Sequence, residues 1–132
     1  LSLPQTNSEL SCNTWNQFVI KVQNENFSNT KNYFELFETD VLKNKTSRNF
    51  LKSELLKIGI NTIIYYPIPI HAQVAYKDKF FDRDLLFNTE KVCTEVLSLP
   101  MFPEITFEEQ LYISENLNLI LKKYTQIAQI SA

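Results

Sequence analysis

One histidine on a proline-rich segment is the feature of this 132-residue sequence that most readily suggests chemistry. His71 is the only histidine, and histidine is the side chain that exchanges a proton most easily near neutral pH. It follows Pro67 and Pro69, which lack an N–H group and restrict the backbone, so the loop is expected to be stiff. His71 could donate to a substrate oxygen or titrate, or it could cap a turn or pack at an edge, and spacing favours neither.

Polar side chains near this histidine could contact the same ligand. Tyr65 and Tyr66 offer phenol hydroxyls, and Gln73 offers an amide that could bind a sugar. The pattern alone favours plainer interpretations, namely one tyrosine in the core, the other at an edge, and an exposed glutamine at a helix start. Asn16 and Gln17 could also point into a cleft, although polar residues at the edge of a strand are common.

Several other classes of site lack the residues they require. A single histidine without a serine motif does not make a Ser-His-Asp triad. Cys12 and Cys93 are the only cysteines, and they have neither CxxC spacing nor a nearby histidine, so we predict two reduced thiols and no metal site. The single glycine also argues against a phosphate-binding loop of the common types.

Composition indicates one ordinary globular domain, residues 1–132, with 44% apolar and 21% charged residues. The net charge of −2 and the scattered basic residues predict no nucleic-acid partner. No apolar run has the roughly 18 residues of a membrane span, so we expect no membrane partner. The abundance of Asn, Lys, Ile and Phe fits an AT-rich genome, which suggests the cytoplasm or a plastid stroma as the location.

The elements that must position these residues follow from hydrophobic periodicity and capping signals. Ser47 is expected to cap a helix through Ile58, and Gly59 is predicted to be the left-handed residue of its C-terminal cap. The capping box of Thr106 and Glu109 predicts a last helix to about Tyr124. The expected strands cover residues 15–22, 60–66 (buried on both faces) and 96–99, and the other expected helices cover residues 72–79 and 88–95.

This order of elements predicts an α+β fold, with a small antiparallel or mixed sheet of about three strands and helices mainly on one face. Residues 23–46 are polar and rich in asparagine, so they are predicted to form a surface insertion. Residues 125–132 are expected to be a tail.

Two segments of the sequence resemble the C-terminal domain of the DegT/DnrJ/EryC1/StrS family of pyridoxal-phosphate-dependent sugar aminotransferases. Residues 59–73 read GINTIIYYPIPIHAQ and resemble the family pattern GI-T--YYP-P-H-Q. Residues 96–106 read VLSLPMFPEIT and resemble the pattern LSLPM-P-(L/I)T, in the same order and at a fitting separation. Residues 15–21 resemble the family strand Y-(H/N)-Q-(Y/F)-V-I-R, and residues 48–51 resemble its next helix start, with Asn49 replacing aspartate.

The resemblance implies a small domain, like that of a fold-type I aminotransferase, that covers a cofactor cleft. It implies that His71, Tyr66 and Gln73 face a nucleotide-sugar substrate. In this family a lysine of a large N-terminal domain forms a Schiff base with pyridoxal phosphate, and that domain also holds the cofactor phosphate. Because the family's serine-to-lysine segment does not occur in this sequence, we expect no catalytic or cofactor-binding residue here and no pyridoxal phosphate on this chain alone.

The implied partners are the missing large domain or a partner chain, a nucleotide sugar once assembled, and a second copy, since the family is usually homodimeric. The surface that meets the large domain is expected to be an apolar patch, with Trp15, Phe18 or Met101 as candidates. The chain could be a fragment, a split subunit or a decayed remnant of an aminotransferase. The alternatives are a non-catalytic interaction or ligand-binding module derived from that domain, and an unrelated α+β domain, so enzymatic activity stays open.

Overall fold

A computed structural model describes residues 1–4, 16–23, 46–76, 79 and 83–130. The predicted insertion at 23–46 lies almost entirely outside the described residues, and Cys12 and Trp15 lie outside them as well. In chain order, the elements are β1 (Phe18–Lys21), α1 (Ser47–Lys57), two 3₁₀ turns (Ile70–Ala72 and Val74–Tyr76), α2 (Arg83–Glu95), β2 (Val96–Leu99) and α3 (Phe107–Ile130).

The two strands form an antiparallel sheet in which Phe18 lies opposite Leu99 and Lys21 opposite Val96. Single bridges extend the sheet at both edges, from Ser2 to Lys21 and from Ile63 to Ser98. This arrangement confirms the predicted α+β fold with a small antiparallel sheet.

The predicted strand at residues 60–66 is wrong apart from one residue. Ile63 exchanges both backbone hydrogen bonds with Ser98, at 3.0 and 2.9 Å, and no other described residue of this segment is assigned to a ladder. The next residues lead into Pro67 and Pro69, and proline cannot donate to a ladder. Ile63 and Tyr65 are also half exposed, so the segment is not covered from two sides as the apolar run suggested.

The core lies between one face of the sheet and two helices. Ile20 and Leu97, which are paired across the strands, are almost completely buried. They pack in one cluster with Leu51 and Leu55 of α1 and with Leu117 of α3. Burying each such side chain contributes about 1.5–3 kcal/mol, so this cluster is what fixes α1 and α3 on the sheet.

Helix α1 is bounded by a capping residue at one end and a glycine at the other. Thr46, not the predicted Ser47, is the N-cap, since its side chain accepts the Asn49 N–H at 3.2 Å. The Ser47 hydroxyl instead donates to the Tyr124 hydroxyl of α3, at 2.9 Å. Gly59 ends the helix with φ of 82°, which confirms its predicted left-handed conformation.

The helices after the proline-rich segment differ in extent from the prediction. Residues 70–76 form 3₁₀ turns rather than the start of an α-helix at 72, with bonds such as Ala72 N–H to the Pro69 carbonyl, 3.0 Å. Helix α2 begins at Arg83, five residues before the predicted 88, and ends at 95 as predicted. Helix α3 continues to Ile130 rather than ending near Tyr124, because the residues after 124 include no glycine or proline.

Candidate functional site

The histidine of the proline-rich segment is paired with a buried acid. His71 Nε2 lies 3.0 Å from Oε1 of Glu90, which belongs to α2. The His71 side chain is 11% exposed and the Glu90 side chain 1%. The two atoms are within hydrogen-bond distance, and Nε2 is the donor when the acid is a carboxylate, whose oxygens only accept. The pair therefore ties the segment that carries His71 to α2.

The local backbone explains why His71 points inward. Pro69 has an extended conformation, with φ of −63° and ψ of 149°, and leads into the 3₁₀ turn. In that turn Pro69 and Ala72 are buried, while Ile70 is 65% exposed. Residues 65–73, which we call the motif loop, thus expose one side and hold the histidine on the other.

The other two predicted site residues lie on the exposed side of the motif loop. Tyr66 is 71% exposed, and Gln73 is also exposed. Tyr66 lines a groove of about 520 Å³ together with Ile70 of the loop and Val92 of α2, but Gln73 is not among its lining residues. The structure therefore places the three residues on one short loop without gathering their polar atoms around a single point.

Glu90 belongs to a buried polar cluster that sequence reasoning missed. Arg48 of α1 is almost fully buried, and its Nη1 donates to the Cys93 carbonyl while its Nε donates to Asn49 Oδ1 at 3.1 Å. Burial raises the pKa of the Cys93 thiol; the Glu90 carboxylate adds to this and the Arg48 guanidinium opposes it. Both charged groups therefore act on Cys93.

A signal for Glu90 was present in the sequence. Leu86, Glu90 and Cys93 follow helical spacing, so an acid stands in an otherwise apolar stripe. An acid at such a position is rarely fully buried unless it is paired. This stripe indicates that a donor must come from another element, but it does not say which one.

A second buried acid joins α2 to the sheet. Glu95 is fully buried, and its Oε2 lies 3.1 Å from Nζ of Lys21, whose side chain is 41% exposed. The backbone of the same residue accepts the Val22 N–H at 2.9 Å. Glu95 therefore fixes the junction between α2 and β2 against β1.

A small pocket brings the three motif segments together. Its volume is about 80 Å³. Asn16 and Gln17 come from the first segment, Tyr65 from the motif loop, and Ser98 and Met101 from the third. Asn16 and Gln17, for which the sequence allowed either a cleft or a strand edge, thus line the same pocket as Tyr65.

A larger groove of about 820 Å³ lies between the end of α1 and the start of α3, with Asn61, Phe102 and Tyr112 in its lining. Of the candidates for an exposed apolar patch, Met101 is 36% exposed, whereas Phe18 packs against the core cluster. In the described ranges, no three His, Cys, Asp or Glu side chains come together as a metal site would require. No helix there is long and apolar enough to cross a membrane.

The described residues do not fit a pyridoxal phosphate site. No lysine lines the three grooves above. Lys21 pairs with Glu95, Lys57 pairs with Glu54, and Lys52 donates to the Thr62 carbonyl at 2.6 Å. We therefore assign no catalytic step to the cofactor on this part of the chain.

Comparison with known proteins finds one matching family and several relatives. The DegT/DnrJ/EryC1/StrS aminotransferase family matches residues 7–118. The 3-oxo-glucose-6-phosphate:glutamate aminotransferase of Bacillus subtilis is 30% identical over 125 residues, which are 93% of this chain and 23% of that protein. A pleiotropic regulatory protein of Geobacillus stearothermophilus is 40% identical over 70 residues, 53% of this chain and 19% of that protein.

A third relative is, like the Bacillus subtilis protein, named as an enzyme of amino transfer. The dTDP-3-amino-3,4,6-trideoxy-alpha-D-glucose transaminase of Streptomyces venezuelae is 36% identical over 58 residues, 44% of this chain and 15% of that protein. The matched segment thus spans less than a quarter of each of these relatives. Since the family match covers most of the sequence, the chain belongs to the DegT/DnrJ/EryC1/StrS aminotransferase family.

Proposed function

We propose that this chain is the small C-terminal domain of a pyridoxal-phosphate-dependent sugar aminotransferase and works together with a large cofactor-binding domain. The observation that carries the proposal is the match of 93% of this chain to only 23% of the Bacillus subtilis aminotransferase. No lysine lines the described grooves, which supports a cofactor-binding lysine in the large domain rather than in this one. The cofactor would supply the electron sink from the large domain, and these residues would bind and orient the sugar.

For the sugar side we propose a role for each residue of the motif loop. Tyr66 and Gln73 are exposed, so their hydroxyl and amide are available to hydroxyl groups of a substrate. His71 is nearly buried against Glu90, so its proposed contribution is to hold the loop that presents them. Tyr66 lies at the groove of about 520 Å³, and a polar group beside an apolar groove is a common feature of a small-molecule site.

We further propose a keto-sugar nucleotide as the substrate. The names of two relatives give two kinds of sugar compound. One relative acts on a 3-oxo-glucose 6-phosphate, and the other is a transaminase of a dTDP-linked amino sugar. The first name gives a sugar phosphate and the second a nucleotide-linked sugar, so the proposal concerns the group that the sugar carries. The amino donor is proposed to be glutamate or glutamine.

A hybrid enzyme tests the proposal. In it, this chain replaces the matched segment of the Bacillus subtilis aminotransferase, and amino transfer from glutamate is measured with a 3-oxo-glucose 6-phosphate and with a keto-sugar nucleotide. We expect transfer by the hybrid and none when the segment is deleted. A preference for the nucleotide over the sugar phosphate would support the finer proposal, and the reverse preference would contradict it.

A control separates loss of function from loss of structure. Circular dichroism and cofactor absorbance report whether the hybrid folds and loads pyridoxal phosphate. A hybrid that is folded and loaded but transfers no amino group to either substrate would refute the proposed function. A matched pair, Gln73→Ala at the proposed site and Asn118→Ala on the exposed face of α3, checks that the effect is local.

A stand-alone interaction module is the second candidate function. The observation that favours it is the Geobacillus stearothermophilus relative, whose name describes a regulatory protein rather than an enzyme. Under this alternative the isolated chain would bind a ligand or a protein without any large domain. Binding of a sugar nucleotide to the isolated chain, measured by calorimetry, together with an inactive but folded hybrid, would favour the module over the enzyme.

A further inference from the structure

We propose that Glu90 is a positioning residue, which holds His71 and through it fixes the motif loop. The functional consequence, the presentation of Tyr66 and Gln73 to a sugar, rests on the function proposed above. The structural part of the proposal stands on contacts of the described residues alone. It can therefore be tested without any knowledge of the substrate.

The geometry of the pair supports an anchoring role. Glu90 Oε1 and His71 Nε2 are 3.0 Å apart, and 19 residues separate the two along the chain. Because both side chains are largely removed from water, the loss of one partner would leave the other buried with an unsatisfied polar group. The contact is thus costly to break, and it links two elements that are distant in sequence.

The backbone of the motif loop needs such an anchor. Its turns are 3₁₀, with local bonds from Ala72 N–H to the Pro69 carbonyl and from Gln73 N–H to the Ile70 carbonyl, at 3.0 and 3.1 Å. Short 3₁₀ turns have poor hydrogen-bond geometry and hold their shape weakly on their own. The contact between Glu90 and His71 connects the middle of such a turn to α2, which is a 13-residue helix.

Glu90 is itself held in place from several sides. Helix α2 is tied to α1 because Arg48 donates to the Cys93 carbonyl, one turn after Glu90. It is tied to β1 because Glu95 pairs with Lys21. Glu90 therefore extends from a helix that is attached to both α1 and β1. Its contact with His71 connects the motif loop to that helix.

Hydrogen exchange in the isolated chain tests the anchoring role. We would compare the wild type with Glu90→Ala and use Glu115→Gln, an exposed acid on α3, as the control. Exchange at the Ala72 and Gln73 amides should accelerate by about 5- to 150-fold in Glu90→Ala, which corresponds to the cost of about 1–3 kcal/mol for an unsatisfied buried group. The amides of Ile63 and Ser98, which pair at the sheet edge, should keep their rates.

Conservative substitution and the histidine ring give further readouts. Glu90→Gln keeps an acceptor oxygen, so its loop amides should exchange more slowly than those of Glu90→Ala. His71 is the only histidine, so its ring nitrogens are unambiguous in nitrogen-15 spectra. We expect Nε2 to be the nitrogen that carries hydrogen in the wild type.

Three results would overturn the proposal. The first is an unchanged exchange rate at Ala72 and Gln73 in Glu90→Ala. The second is equal acceleration at Ile63 and Ser98, since Glu90 would then support the whole core rather than the loop. The third is a ring in which Nε2 carries no hydrogen, because the contact to Glu90 would then not be the one described.

The hybrid enzyme separates this proposal from the proposed function. If the wild-type hybrid is active, Glu90→Ala should raise KM for the sugar about tenfold and change kcat less, since the loop binds rather than reacts. An inactive wild-type hybrid would refute the function and leave the exchange result standing. An active hybrid with an unchanged KM in Glu90→Ala would refute the positioning role and leave the function standing.

Discussion

Substitution of Gly59 isolates one backbone conformation at the end of α1. Gly59 has φ of 82°, a left-handed conformation that residues with a side chain rarely adopt. A Cβ built at this position meets no heavy atom within 4 Å. Replacement by alanine therefore creates no clash, and any loss of stability in that variant comes from the backbone alone.

The size of the effect follows from the cost of that conformation. A left-handed L residue costs roughly 1–2 kcal/mol, so Gly59→Ala should lower the free energy of unfolding by about 1 kcal/mol. Asparagine tolerates the conformation better and should lose less, while β-branched valine should lose more. The backbone bonds that close the turn, from the Gly59 N–H to Leu56 and from the Ile60 N–H to Leu55, remain available in every variant.

Urea denaturation and thermal denaturation, each followed by circular dichroism, measure these differences. A loss of about 1 kcal/mol should lower Tm by roughly 3–6 °C in a domain of this size, with an unchanged dependence on urea concentration. The order of stability should be glycine, asparagine, alanine and valine. An alanine variant as stable as the parent, or an asparagine variant less stable than alanine, would show that Gly59 is not held in the left-handed conformation.

Two further predictions concern pKa values at the surface and in the core. The pKa of Glu109 is lowered by a hydrogen bond from the Thr106 N–H and, to a smaller extent, by one from the Thr106 hydroxyl. The carboxylate therefore stabilises the fold above the ordinary carboxyl pKa, and this stabilisation is lost as the pH falls through the lowered pKa. The stability difference between the parent and Glu109→Gln, measured by thermal melts, should therefore shrink in acid, and a constant difference would contradict the capping geometry. Burial raises the pKa of the Cys93 thiol. In a Cys12→Ser variant, iodoacetamide should therefore alkylate Cys93 slowly in the native protein and rapidly in urea. Equal rates would show that the thiol is accessible in the native protein.

Features that depend on neighbours in sequence were predictable. Thr106 and Glu109 stand three residues apart, and the structure has both reciprocal hydrogen bonds of the capping box, at 2.8 and 3.2 Å. The glycine stop after α1 and the bounds of β2 at 96–99 are likewise observed where the pattern placed them. These signals are local, so no knowledge of the rest of the fold is needed to interpret them.

Features that depend on distant partners were not predictable. The run around Ile63 is apolar enough for a buried strand, yet only Ile63 pairs with β2. The residues that follow lead into Pro67 and Pro69, which cannot donate to a ladder. His71 was equally compatible with a substrate contact and a structural one, and the choice depends on Glu90, which the sequence places 19 residues away. Periodicity could mark Glu90 as unusual but could not supply its partner.

The location of the cofactor-bearing lysine tests the central claim most directly. The hybrid with the Bacillus subtilis aminotransferase would be loaded with pyridoxal phosphate, reduced with borohydride, digested and analysed by mass spectrometry. We predict a phosphopyridoxyl group on a lysine of the Bacillus subtilis portion and on no lysine contributed by this chain. Stoichiometric modification of a lysine within this chain, in the hybrid or in the isolated polypeptide, would contradict the claim that its residues serve only the sugar side.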